Sequence, residues 1–148
     1  LGVDRTVICQ EAGSVALLGV AGAVVALNDA AFTSQIRRSI RQQAFTAQQD
    51  VACNAYHTAA ERCARWILNY RHQTGREIVP FVSDGIGSAL KLPRDEILEA
   101  ASVLVDAGAI IGHGDGLTAS FSVRDRPLLL ELSCDCFAVA RLSELFTG

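Results

Sequence analysis

The chain has 148 residues, half of them apolar and a fifth charged, with a formal net charge of −3 at pH 7. That length supports one or two small domains with a real core, and the composition excludes a disordered tail. The longest apolar stretch, residues 15–27, is broken by glycines and falls short of the ~20 residues that a membrane span needs.

Residues 5–10 (RTVICQ) and 14–20 (SVALLGV) read as two short strands around a Glu-Ala-Gly turn. Asn28 or Asp29 then caps a helix, because a short side-chain oxygen satisfies a free N–H of the first turn. Phe32, Ile36, Ile40, Ala44, Ala47, Val51 and Ala55 follow at steps of three or four and make one apolar stripe. Arg37, Arg38, Arg41, Gln42, Gln48 and Gln49 fall mainly on the opposite face. Neither Pro nor Gly interrupts residues 28–74. A single helix of that length is unusual, so a bend is expected near Tyr56–Thr58. A narrow stripe needs a partner, either its own domain or, the preferred reading, the parallel helix of a second subunit.

Residues 59–72 (AAERCARWILNYRH) form the next helix, with Cys63, Trp66, Ile67 and Tyr70 on its core face and Gly75 ending it. Glu77 to Phe81 reads as a short strand whose pairing Pro80 limits. Ser83 is expected to cap a short helix through Leu90. Pro93 suits the first turn of a following helix, which runs to about Ala107 and stops at Gly108. Ile97, Leu98, Ala101, Leu104 and Val105 supply the buried side of that helix. Residues 109–111 and 119–123 read as strands joined through His113-Gly-Asp-Gly116, where Asp115-Gly116 is a hairpin signal. Residues 127–146 make a last amphipathic helical segment.

The fold class expected from this order is mostly α with a small β part. A long helix leads into a helix, tight turn, helix and β-hairpin, the order of a winged helix-turn-helix. Ile86 is apolar where the two helices meet, Gly87 is small where they cross, Leu90 and Leu92 flank the turn, and Ile97 and Ala100 face back into the angle. Lys91 occupies the turn where glycine is common, at a cost of ~1 kcal/mol in a left-handed conformation. The plainer alternative is an ordinary helical hairpin in a globular core.

The segment CNAYHTAAERCARWIL resembles the hinge of Crp/Fnr-type transcription regulators, where the dimerisation helix passes into the DNA-binding domain. The stretches VPFVSDGIGSALKLPRDEILEAASVLVDAGAI, IGHGDGLTASFSV and LLELSCDCF resemble the same family in the same order. The resemblance implies residues 1–27 as a remnant of a β-roll sensor domain, 28–57 as the dimerisation helix and 58–148 as the winged helix-turn-helix. It also implies a dimer interface along Phe32, Ile36, Ile40, Ala44, Ala47 and Val51. In the family, the N-terminal half of the second helix enters the major groove with Arg, Glu and a second Arg. The matching positions here are Arg94, Asp95 and Glu99, so Arg94 keeps the fork that bonds guanine O6 and N7. Asp95 is shorter than Glu, and Glu99 reverses the charge. Ser83, Lys91 and His113, the last at the wing tip, complete the expected DNA contacts. The implied partners are DNA, a second copy of the chain and RNA polymerase. The effector site of the family lies in the part of the β-roll that this chain does not contain, so no cofactor is assigned.

Charge supports a second reading. Residues 55–148 carry nine Arg or Lys against twelve Asp or Glu, whereas a DNA-binding domain more often has a basic face. The alternative is a winged-helix protein-interaction module whose acidic second helix faces a basic partner. No nucleophile–base set, phosphate-binding glycine loop or useful carboxylate pair is present, so an enzyme is not expected. Five cysteines are an odd number and do not suggest a disulfide framework, and with no basic leader the chain is placed in a reducing cytoplasm. The absence of methionine makes residue 1 the expected start of a processed or trimmed piece. Cys134-x-Cys136 is expected to point its thiols to different sides of a helix, so no metal site is assigned. Cys63 is expected in the core, and Cys53 near the dimer seam, where two copies can approach.

Overall fold

The computed structural model describes residues 12–80, 83–114 and 120–146, with residues 83–85, 88 and 143–146 described by backbone alone. Its internal contacts divide the chain into two units, Leu1–Arg41 and Gln42–Gly148. The expected strand at residues 5–10 and the Asp115-Gly116 turn lie outside the described residues.

In the first unit, residues 12–19 have no regular structure and α1 spans Val20–Ala26. The strand expected at 14–20 is therefore not formed. Val15, Leu17 and Val20 are exposed, with no neighbouring strand among the described residues to take up their backbone groups. The alanines of VAGAVVA instead favour local i→i−4 bonds, beginning with Ala23 N–H to the Gly19 carbonyl at 2.9 Å. Nothing in α1 is buried. α2 spans Ala30–Tyr56, and the boundary between the units falls within it. Asp29 is its cap, accepting from Phe32 N–H at 2.8 Å.

The second unit starts with the C-terminal part of α2. The expected bend is a full break at His57 and Thr58, after which α3 spans Ala59–Thr74. Thr58 and Glu61 form a reciprocal capping box: Glu61 N–H donates to Thr58 Oγ1 at 3.3 Å, and Thr58 N–H donates to Glu61 Oε2 at 2.7 Å. At the other end Gly75 adopts φ +69° and its N–H returns to the Arg71 carbonyl.

β1 (Ile78–Pro80), β2 (Ile110–His113) and β3 (Ser120–Val123) form an antiparallel sheet in the order β1-β3-β2. Pro80 ends an edge strand, where a missing N–H costs no ladder bond. Phe121, central in the sheet, is fully buried. α4 spans Ser83–Leu90 and α5 Arg94–Asp106. The core gathers Cys63, Ile67 and Leu68 of α3, Ile86 and Leu90 of α4, Ile97, Ala101 and Leu104 of α5, and Val79, Ile110 and Phe121 of the sheet. Burying each large apolar side chain contributes about 1.5–3 kcal/mol.

Three boundaries differ from expectation. Ser83 is the first residue inside α4, not its cap. Pro93, in extended conformation, is the N-cap of α5 rather than part of its first turn. The C-terminal segment is two helices, α6 (Arg126–Glu131) and α7 (Cys136–Phe146). Asp125 caps α6 by accepting from Leu128 N–H at 3.0 Å, and the break after it places Cys134 outside any helix.

Candidate functional site

The α4–α5 corner is set by backbone chemistry at a single residue. Lys91 has φ +53°, the one positive φ of a non-glycine residue among those described. Leu92 N–H reaches back to the Gly87 carbonyl at 3.3 Å. This is a Schellman closure with lysine in the left-handed position that glycine normally takes. The C-terminal end of α5 shows the same closure with glycine: Gly108 at φ +79° donates to the Val105 carbonyl, and Ala109 N–H to the Leu104 carbonyl. The buried Arg62 of α3 donates to the Leu90 carbonyl, satisfying an orphan acceptor at the end of α4 and placing a cation at the negative end of that helix.

Gly87 lies where the helices cross. A methyl group there would meet the Leu92 carbonyl at 3.4 Å and Ile97 Cδ1 at 3.6 Å. A methyl would therefore make ordinary contact, and a larger group would have to displace Ile97 or the turn.

With Ile97, Ala100, Ala101 and Leu104 buried, α5 turns its other face outward. Arg94, Asp95, Glu96 and Glu99 are all exposed on its first two turns, and Lys91 is exposed just before them. Among the described residues neither Lys91 nor Arg94 forms an ion pair, so both cations are available to a ligand. Asp95 and Glu96 complement the positive end of the helix, worth about 0.3–1 kcal/mol each. Asp95 and Glu99 stand four residues apart on one face and repel each other mildly.

His113 does not stand at the wing tip. It is the last residue of β2, paired opposite Ser120, and its Nε2 lies 2.7 Å from Ser122 Oγ across the hairpin. A side chain spent on a cross-strand bond is a weaker candidate for a phosphate contact. Ser83 is located only as the first residue of α4. Arg124 and Asp125 N–H groups both bond the Ala109 carbonyl at 3.0 and 3.1 Å and close the base of the hairpin.

On α2, the expected interface stripe lies largely bare. Ile40 is 60% and Val51 71% exposed, Ala44 and Ala47 are exposed, and Phe32 and Ile36 are half-buried. Among the described residues nothing covers Ala44, Ala47 or Val51.

The cysteines depart most from the sequence reading. Cys134 and Cys136 do not diverge from a shared helix, because Cys134 sits in the break before α7 and Cys136 is the first residue of α7. Both turn toward Cys53 of α2. Cys53 Sγ is 3.5 Å from Cys134 Sγ, and all three sulfurs lie within 4.8 Å of one another. Cys53 is fully buried inside its own chain, which removes it from any seam between two copies. Burial pushes the Cys134 thiol up to about 12 and also raises Cys53, while the nearby Arg65 guanidinium pulls Cys53 back. Cys63, alone in the main core, is pushed up to about 12 by burial, as expected of an inert packing thiol. The sequence signal for the cluster was the Cys134-x-Cys136 pair alone, read there as lying within one helix. Its third member is 81 residues from Cys134. The buried Arg62 and Arg65 also escaped the sequence reading. Arg65 pairs with Asp50 and so ties α3 to α2 across the break.

Among the described residues no helix is long and apolar enough to cross a membrane. Comparison of the chain with protein-family models, curated proteins and solved structures gave no match.

Proposed function

We propose that the chain is a cytoplasmic, non-enzymatic DNA-binding transcription regulator of the Crp/Fnr type, acting as a homodimer. The observation that carries this reading is the α4–Lys91–α5 corner followed directly by the β2–β3 hairpin, with α5 sealed along Ile97, Ala100 and Ala101 and open along Arg94, Asp95 and Glu99. In this reading α5 enters the major groove and Arg94 donates two bonds to guanine, worth about 1–3 kcal/mol of discrimination. Asp95 accepts from a cytosine amino group, and Lys91 neutralises a phosphate. The bare stripe on α2 from Ile40 to Val51 meets its copy in a second subunit. Two α5 helices then lie one DNA turn apart, ~34 Å, on a near-palindromic site. The resemblance of residues 53–68 to the Crp/Fnr hinge supports the same assignment.

The exposed acids at Asp95, Glu96 and Glu99 favour the second reading, a winged-helix module that docks a basic protein partner through α5. A salt-titrated gel shift with genomic fragments separates the two. Dimeric wild type is expected to select a fragment at low salt, with affinity falling steeply as salt rises. Arg94→Ala is expected to lose about 5- to 150-fold on that fragment, the equivalent of 1–3 kcal/mol. Absence of DNA binding by either protein at low salt overturns the DNA reading and leaves the protein-docking one.

A further inference from the structure

We infer that Cys53, Cys134 and Cys136 form a three-thiolate site for a thiophilic metal ion of the zinc class, one that fastens the end of α2 to the start of α7. This inference is independent of the proposed DNA binding and uses none of the residues assigned to it.

Geometry carries it. A tetrahedral zinc with Zn–S bonds near 2.3 Å places its sulfurs about 3.8 Å apart. Here the Cys53–Cys134 separation is 3.5 Å and no pair of the three exceeds 4.8 Å, so small rotations about the side chains suffice to surround an ion. The three residues come from a helix, an inter-helix break and a helix start, and all are buried. They also stand apart from the main core as a buried cluster of their own. Thiols recruited only to fill space belong in contact with the aliphatic core, as Cys63 is. An all-sulfur donor set selects soft ions, Zn(II) or Cu(I), over Mg(II) or Ca(II). Three protein ligands leave a fourth position open to water or a small thiol. The neighbouring Arg65, itself buried, offsets the excess negative charge of three thiolates around a divalent ion.

On binding, each sulfur donates a lone pair to the metal and its S–H proton leaves to solvent. Three protons are released, no oxidation state changes, and no oxidant is required.

The test uses the full chain, purified and reduced, with Co(II) or Zn(II) salts alone as probes. One equivalent of Co(II) is expected to give sulfur-to-cobalt charge-transfer absorption. One Zn(II) per chain is expected to remain after desalting and to raise the thermal midpoint. Cys53→Ser, Cys134→Ser and Cys136→Ser are each expected to weaken binding at least about 100-fold, the upper end of the loss caused by removing a mere outer-shell partner. Cys63→Ala is expected to bind as wild type does. Should Cys53→Ser fail to fold, Cys136→Ser, at the rim of the cluster, decides the matter together with protection of the three thiols from alkylation by zinc. No charge-transfer band and no retained zinc overturn the inference. So does binding unchanged in Cys134→Ser and Cys136→Ser, and so does a Cys53–Cys134 disulfide forming in a chain that takes up no metal when reduced.

Discussion

Replacing Thr58 by alanine tests the break between α2 and α3 directly. Thr58 Oγ1 accepts from Glu61 N–H at 3.3 Å and donates to Glu61 Oε2 at 2.8 Å, while Thr58 N–H donates to the same carboxylate oxygen at 2.7 Å. Alanine removes both hydroxyl bonds and keeps the backbone one. Loss of an N-cap hydroxyl costs about 1 kcal/mol, which lowers the thermal midpoint by about 4 °C for a unit of this size. The two bonds from Thr58, the backbone one first, hold the Glu61 carboxyl below its usual range, outweighing partial burial, with His57 adding a small pull in the same direction. The stability that Glu61 contributes is therefore present above about pH 4.3, the carboxyl's value in the unfolded chain, and is lost as pH falls through the lower folded value. Urea unfolding of wild type and Thr58→Ala at pH 7 and again at pH 3 gives the comparison. The cost of the substitution should shrink as pH falls through the folded Glu61 value, because protonation removes the carboxylate acceptor of the Thr58 hydroxyl in wild type, whereas the variant has no such bond to lose. The double variant Thr58→Ala/Glu61→Ala should be less destabilised than the sum of the single ones by at least about 0.5 kcal/mol. A Thr58→Ala protein within about 0.3 kcal/mol of wild type at pH 7, or costs that simply add, would refute the capping account.

Two further substitutions probe the α4–α5 corner. Ile97→Ala, at a position 1% exposed beneath α4, should destabilise by about 2–5 kcal/mol in urea unfolding. A cost under 1 kcal/mol would mean that α5 does not seal against α4 there. Lys91→Gly relieves a left-handed lysine but loosens the unfolded chain, for a net gain of about 0.5 kcal/mol. A less stable glycine variant would show that the lysine stem contributes packing beyond its backbone role.

Much of the second unit was legible in the sequence because its signals are short-range. The bend expected near Tyr56–Thr58 precedes α3, Gly75 ends it, and Ile97, Ala101 and Leu104 repeat at helical spacing under a corner with Leu90 and Leu92 on either side. Each signal is satisfied within a turn or two of backbone, so composition and spacing carry it. The same reasoning failed at residues 14–20. Residues 14–19 have no regular structure, because an apolar run makes a strand only with a neighbour to take its hydrogen bonds. The left-handed lysine was legible in the sequence, whereas Arg62 reaching from α3 to the Leu90 carbonyl was not, since nothing local connects residues 28 positions apart.

By itself the sequence determined where α3 ends, which faces of α3 and α5 are apolar, and that Arg94 and its acidic neighbours share the first turns of one helix. Tertiary structure alone decided that those neighbours face outward, that His113 spends its ring on Ser122, and that Cys53, Cys134 and Cys136 converge. The physical reason is range. Capping and periodicity act over three or four residues, but the meeting of three sulfurs depends on how α2, α3, α6 and α7 fill the space between them, a sum of packing choices that no short window of residues contains.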